Sequence, residues 1–454
     1  MNSPDQTREA GTRRDFLKKA GLTTTVLAAA EPGWLAAKPG PAPAAKLPWY
    51  RRTLRWGQTR GFSVTAVDKM VVRNLASAAV CGIGRMKYRR AGVKDRVCLR
   101  GRGAQRSGRM TNTAWKVLGV ALAASVWASA ASPPEAEITN GPIRLRLYLP
   151  DAKTGFYRGT RFDWAGVLGG LQYAGHSYYP QWFQRSDPSV HDFIDDGADI
   201  VAGPCTAITG PAEEFGANGK GLGFDEARAG GTFVKIGVGV LRKPDDHNYD
   251  PFRLYPIADG GRWTVTRRPD SIEFRHELAD PATGYAYEYR KTVSVAGDKP
   301  RMVLDHGLRN TGKRVIQTSV YNHNFLYLDR QAPSPDFLLT VPFKISTSQP
   351  PDGRLAEVRG NQIAFPKTLT GEDRVYLDIQ GFGADPKDYD LRIENRNVGA
   401  GVRITADRPL SRLALWAIRA PLAIEPFIDM NIEPGAEFTW RIKYEFYTIP
   451  AGGK

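Results

Sequence analysis

Polar and apolar residues alternate with period two along most of the chain beyond residue 138. In ITNGPIRLRLYLP (138–150), Ile143, Leu145, Leu147 and Leu149 alternate with polar neighbours, the pattern of a strand with one buried face. SIEFRHEL (271–278) sets Ile272, Phe274, His276 and Leu278 on one face. YAYEYRKTVSV (285–295) follows an Asp-Pro-Ala-Thr-Gly turn, as a hairpin partner would. The rhythm returns in 301–310, 313–325, 391–397, 401–407, 411–418 and 437–449. FVKIGVGVL (233–241) reads as one apolar strand, with Gly237 and Gly239 marking a bulge or close packing. Turn signals separate these segments, among them Asn310-Thr311-Gly312 and Glu433-Pro434-Gly435. No long amphipathic helix and no strand–helix alternation interrupts them. The pattern predicts an all-β fold, a large antiparallel β-sandwich preceded by a poorly structured leader.

The leader has a different character. Thr12-Arg13-Arg14-Asp15-Phe16-Leu17 precedes a modest apolar stretch, Ala20–Ala30, and resembles a bacterial twin-arginine export signal. MTNTAWKVLGVALAASVWASA (110–130) has one lysine, an apolar run from Val117 to Ala128 and small residues at its end. It reads as a second signal peptide, since that run is about half the ~20 residues a spanning helix needs. Between the two signals, residues 51–109 hold 16 Lys+Arg and 2 Asp+Glu. Of 63 basic residues in the chain, 23 precede Met110, leaving 40. Of 47 acidic residues, 6 precede it, leaving 41. The net charge of +16 therefore belongs to the leader. A basic segment invites a nucleic-acid-binding arm as one reading, but without interleaved aromatics, alternation or helical period it reads first as unstructured, and no nucleic-acid partner is expected.

These features divide the chain into an export signal (1–36), a basic segment read as disordered or as a fused or misread frame (37–109), a second signal (110–131) and a β-sandwich domain (132–454). The expected location is periplasmic or secreted, with no stable membrane insertion of the mature domain. A chain starting at Ser132 should fold and stay soluble, because the periodic pattern starts only near Ile138. Loss of cooperative unfolding in that shorter chain, with the full chain intact, would show the leader to be structural.

Beyond the leader there is one cysteine, Cys205, so this part forms no internal disulfide. The six histidines, His176, His191, His247, His276, His306 and His323, show no ligand spacing. No metal and no cofactor is expected.

Two stretches carry candidate chemistry. VYNHNFLYLD (320–329) places His323 between two asparagines, before aromatic residues. LALWAIRAPLAIEPFIDMNIEPGAEF (413–438) places Glu425 after an apolar run and before Pro426, read as the start of a loop. A third, GEDRVYLDI (371–379), contains Asp373. Together they resemble the galactose mutarotase-like superfamily, the aldose 1-epimerases and hexose-phosphate epimerases. The resemblance implies an antiparallel β-supersandwich with the site on its concave face. It also implies His323 as general acid, Glu425 as general base and Asp373 as a sugar ligand. Acid and base would face each other across one sugar ring. Phe325 and Trp416 would stack on sugar faces, and Arg161, Glu213, Glu214 and Arg228 would line the cleft. The acidic run HDFIDDGAD (191–199) would either line it too or form a solvated loop.

One departure stands out. The region expected to supply a second histidine, 210–233, contains none and is rich in carboxylates. That argues against a phosphorylated sugar. Each residue also has a plainer reading: His323 as a core-edge histidine, Glu425 as the start of a loop, and Asp373 as half of a surface ion pair with Arg374. The sequence thus points to an exported sugar epimerase acting on a neutral aldose or an oligosaccharide end. The alternatives are a non-catalytic carbohydrate-binding sandwich and an enzyme resembling polysaccharide lyases.

Overall fold

The computed structural model describes residues 132–216, 219–295 and 297–449. The two signal-like segments and the basic stretch lie outside the described residues. Among the described residues there is no α-helix, only two three-residue 3₁₀ turns, Leu328–Arg330 and Pro386–Asp388. No helix there is long and apolar enough to cross a membrane.

The fold is all-β and almost wholly antiparallel. A ten-stranded sheet runs in the order 262–267, 271–280, 285–294, 301–310, 437–448, 400–406, 390–395, 337–340, 362–364 and 357–359. A six-stranded sheet runs Ser346–Thr347, Val375–Gln380, Arg412–Ala417, Leu422–Ile432, Ile316–Phe325 and Gly210–Phe215. Smaller three- and four-stranded sheets flank them; one contains a parallel pair, Arg185–Ser186 with Asp199–Ala202.

Alternation builds the core between the two large sheets. Phe274, Tyr287, Tyr289, Leu304, Leu308 and Ile442 project from the ten-stranded sheet. Val320, Leu377, Leu413, Leu415, Ile424 and Ile428 meet them from the six-stranded one. Each such side chain contributes about 1.5–3 kcal/mol on full burial. The other face of the six-stranded sheet carries the opposite register, including Tyr321 and Phe325. There a second aromatic cluster covers it, with Phe162, Trp164, Trp182 and Phe233.

Two strand assignments change. The segment 233–241 is a hairpin, Thr232–Lys235 with Gly239–Arg242. Gly237 makes its turn at φ 76°, where a Cβ would lie 2.4 Å from Asp163 Oδ1. And the chain after Glu425 is no loop: Leu422–Ile432 is a single eleven-residue strand. Pro426 lacks a donor, and the ladder to Ile316–Phe325 is interrupted there, between the Tyr321–Phe427 pair and the Leu326–Leu422 bridge.

Candidate functional site

The antiparallel register decides how the candidate residues meet. Tyr321 pairs with Phe427, and Leu326 bridges Leu422. The same register sets His323 opposite Glu425 on the covered face of the six-stranded sheet. Cross-strand neighbours touch, and His323 Nε2 lies 3.1 Å from Glu425 Oε1. The expected arrangement, with a sugar ring between them, is therefore replaced by direct contact. Both are buried, His323 to 5% and Glu425 to 8% exposure. His323 stacks on Phe325 at 3.8 Å, with Phe162 and Trp416 edge-on at 5.9 and 5.2 Å. Among the described residues its Nδ1 has no hydrogen-bond partner.

Burial shifts both groups toward neutrality. Desolvation raises Glu425 from 4.5 to about 7, against the opposing charge of Arg161. Desolvation and then the Arg161 charge push His323 well below its usual 6.5. At neutral pH His323 is uncharged and Glu425 is close to half-protonated.

A titration consequence follows for Glu425. Its folded value lies above its unfolded one, so its stabilising contribution is complete below about pH 4.5. That contribution is lost as the pH rises through about 7. Relative to Glu425→Gln, which does not titrate, the wild type should lose roughly 1–3 kcal/mol between pH 5 and pH 8.5. Urea midpoints measured across that range would check it, and parallel curves for the two proteins would refute it.

Arg161 stands beside the pair. Its Nε donates to Glu214 Oε2 at 2.7 Å and its Nη2 to the Tyr321 hydroxyl at 2.9 Å. Tyr321 donates to the same Glu214 oxygen at 2.8 Å, and Lys235 Nζ to the other at 3.2 Å. Burial would raise the Glu214 pKa, but the Lys235 and Arg161 charges more than offset it, leaving it lowered. Glu214 is thus an ionised anchor that orients Arg161.

The remaining expected residues divide. Trp416 is half-buried beside His323. Phe325 is 1% exposed beneath His323 and Trp182, so it supports the pair and offers no face to a sugar. Glu213 points the opposite way from Glu214, as neighbours on a strand must. It is fully buried between the sheets, bound by Lys291, by His306 at 2.6 Å and by Asn322 at 3.2 Å. It is therefore a core residue with no reach to a substrate. Asp373 lies in the turn before Val375–Gln380. Its carboxylate takes Lys367 at 2.9 Å and the Thr370 N–H at 2.8 Å. Among the described residues nothing joins it to His323 or Glu425. Arg228 is exposed, on the loop after Phe224, and among the described residues no hydrogen bond or ion pair joins it to His323 or Glu425. In the acidic run, Asp195 binds Arg374 and, at 2.7 Å, Arg419, while Phe193 packs edge-on to Trp416 at 5.8 Å.

Tyr321, Tyr376 and Arg412 were not foreseen in this region. Tyr321 had a signal, since it shares a period-two face with His323 and Phe325. Among the described residues no cluster of His, Cys, Asp and Glu is placed to hold a metal ion.

No family model matches the chain, and no curated protein matches it. Among solved structures it is similar to the aldose epimerase homologue from C. elegans, at 15% identity and TM-score 0.40, covering 70% of this chain and 100% of that one. It is also similar to a galactose mutarotase-like protein from Lactobacillus casei ATCC 334, at 13% identity and TM-score 0.37, covering 69% and 100%. A protein from Synechocystis sp. PCC 6803 matches at 13% identity and TM-score 0.41, covering 70% and 97%. At these identities and scores the likenesses carry nothing about activity.

Proposed function

We propose that the chain is a sugar epimerase of the aldose 1-epimerase type, acting on the anomeric centre of a reducing sugar. The observation that supports this most is the buried His323–Glu425 contact at 3.1 Å, with Arg161 beside it. Ring opening moves one proton from the anomeric hydroxyl and delivers one to the ring oxygen. Those two oxygens are bonded to the same carbon, so an acid and a base in contact can serve both from one side. The neutral pair at rest sets the direction. His323 Nε2 takes the hydroxyl proton, and Glu425 gives its own to the ring oxygen as the C1–O5 bond breaks and a C1=O bond forms. Rotation about C1–C2 and the reverse transfers close the other anomer and restore both groups. This direction is the reverse of the roles the sequence resemblance implies. The reading also takes the protein to act outside the cytoplasm, on the strength of the signal-like segments alone.

A second reading, a non-catalytic carbohydrate-binding sandwich, is favoured by the depth of the pair. Equilibration of α- and β-anomers of D-galactose or D-glucose, followed by polarimetry with and without the protein, decides between them. No acceleration over the spontaneous rate, with measurable binding, would leave the binding reading.

A further inference from the structure

The exposed face beside Glu425 has a feature that the proton chemistry leaves unused. Tyr376, on Val375–Gln380, is 56% exposed near the open edge of the six-stranded sheet, where Ser346–Thr347 pairs only with Ile379 and Gln380. It pairs across the strands with Trp416, and Arg412 pairs with Phe427. Between them on the Arg412–Ala417 strand lies Ala414, whose neighbours are Asp378 on one side and Glu425 on the other. The Tyr376 and Arg412 side chains lean toward each other over this small residue. Arg412 Nη2 donates to the Tyr376 hydroxyl at 2.5 Å. The same guanidinium lies 5.0 Å from the Phe427 ring centre, and half of the Arg412 side chain is open to solvent. Adjacent strands are about 4.8 Å apart, so this bridge runs along one side of the Glu425 carboxyl. Burial raises the Tyr376 hydroxyl, the Arg412 charge opposes it and the Glu425 carboxylate adds to it, which sets the bridge within the field of Glu425.

We propose that Tyr376 and Arg412 form a shelf for a second sugar ring, so that the substrate is the reducing end of an oligosaccharide. An exposed aromatic ring offers an apolar face to the C–H side of a pyranose, with its hydroxyl left for polar contact. A planar guanidinium fixed at its edge presents N–H donors to sugar hydroxyls. Together they match a ring that is apolar on its faces and polar at its rim. The shelf adjoins Glu425, so the ring it holds is the one linked to the reacting residue. The inference rests on the sugar-epimerase reading for what sits at Glu425, and its test separates the two.

The probes are lactose and cellobiose, with D-galactose and D-glucose as the one-ring references. The readouts are kcat/KM for anomer equilibration and calorimetric affinity. The wild type should prefer the disaccharides. Tyr376→Ala should lower the disaccharide-to-monosaccharide ratio by roughly tenfold, and Tyr376→Phe should retain most of it because the ring stays. Tyr376 is an exposed position, so both variants should fold. A disaccharide preference in binding that is lost in Tyr376→Ala upholds the shelf, even with no catalysis, and then the epimerase reading alone falls. Equal treatment of one-ring and two-ring sugars by the wild type, or an unchanged ratio in Tyr376→Ala, overturns the shelf, whatever the rates.

Discussion

Glu425→Gln and His323→Gln should each slow anomer equilibration by roughly 10²–10⁴-fold, the usual worth of one positioned acid or base. Both substitutions keep the size and some hydrogen bonding of the original side chain. Glu425→Gln removes the proton given to the ring oxygen, and His323→Gln removes the base that takes the hydroxyl proton. The two side chains touch at 3.1 Å and share one face of the sheet, so the losses should not add. Once one partner is gone, the paired transfer at the two oxygens fails, and the double variant should resemble the slower single one. Sugars also equilibrate unaided, so the comparison is of rates above the spontaneous background. Affinity for the sugar should change far less than the rate. If both variants stay within twofold of the wild type, the pair handles no protons.

The pH profile assigns the roles. With Glu425 protonated at rest and giving its proton first, kcat/KM should fall as the pH rises through about 7, where Glu425 ionises. If Glu425 were the base, the rate would rise over the same range. His323 lies well below its usual value, so it adds no break near neutrality.

The sequence makes the sandwich legible and hides the site's geometry, for identifiable reasons. Strands such as Ser271–Asp280 and Tyr285–Ser294 show clean period-two alternation, and their buried faces follow it residue by residue. Leu422–Ile432 was also legible, since Ile428, Met430 and Ile432 alternate with Asp429 and Asn431; Pro426 masked it. Gly210–Phe215 had no such signal. Its GPAEEF sequence carries little strand propensity, and it forms only because Ile316–Phe325 pairs with it. With no strand assigned there, the rule that Glu213 and Glu214 face opposite ways stayed hidden. The contact of His323 with Glu425 depends on strand register between residues 102 positions apart, which a single sequence does not fix. Lys291 was visible in hindsight: it shares the buried face of Tyr285, Tyr287, Tyr289 and Val293. A lysine in that row implies a buried counter-charge.

That counter-charge is Glu213, and its loss should destabilise the fold more than any surface change. Lys291 is 1% exposed and Glu213 fully buried. The two are in contact, and His306 Nε2 reaches the other Glu213 oxygen at 2.6 Å. Desolvation opposes the Glu213 charge, yet Lys291 and then His306 outweigh it and hold its pKa at about 2. The nearest other carboxylate, Asp163, is 3.9 Å from Lys291 and is raised by burial to about 7. Loss of the Glu213 charge eases its ionisation, but at 3.9 Å it meets Lys291 more loosely than Glu213 does. Glu213→Gln therefore leaves a buried ammonium without an adequate partner, at a cost of about 3–5 kcal/mol. Pairing it with Lys291→Met should recover part of that loss, because an apolar or neutral pair in the same space carries no desolvated charge. The pH dependence has the opposite sign to that of Glu425. A depressed carboxylate contributes stability above its unfolded value of about 4.5 and loses it as the pH falls through about 2. The wild type should thus lose stability over that acid range, and Glu213→Gln should lack that slope. Urea midpoints for the two single variants and the double variant, at neutral pH and in acid, measure all of this. A Glu213→Gln protein within about 1 kcal/mol of the wild type, or a double variant equal to the sum of the singles, would mean that the buried charges are not coupled as their contacts indicate.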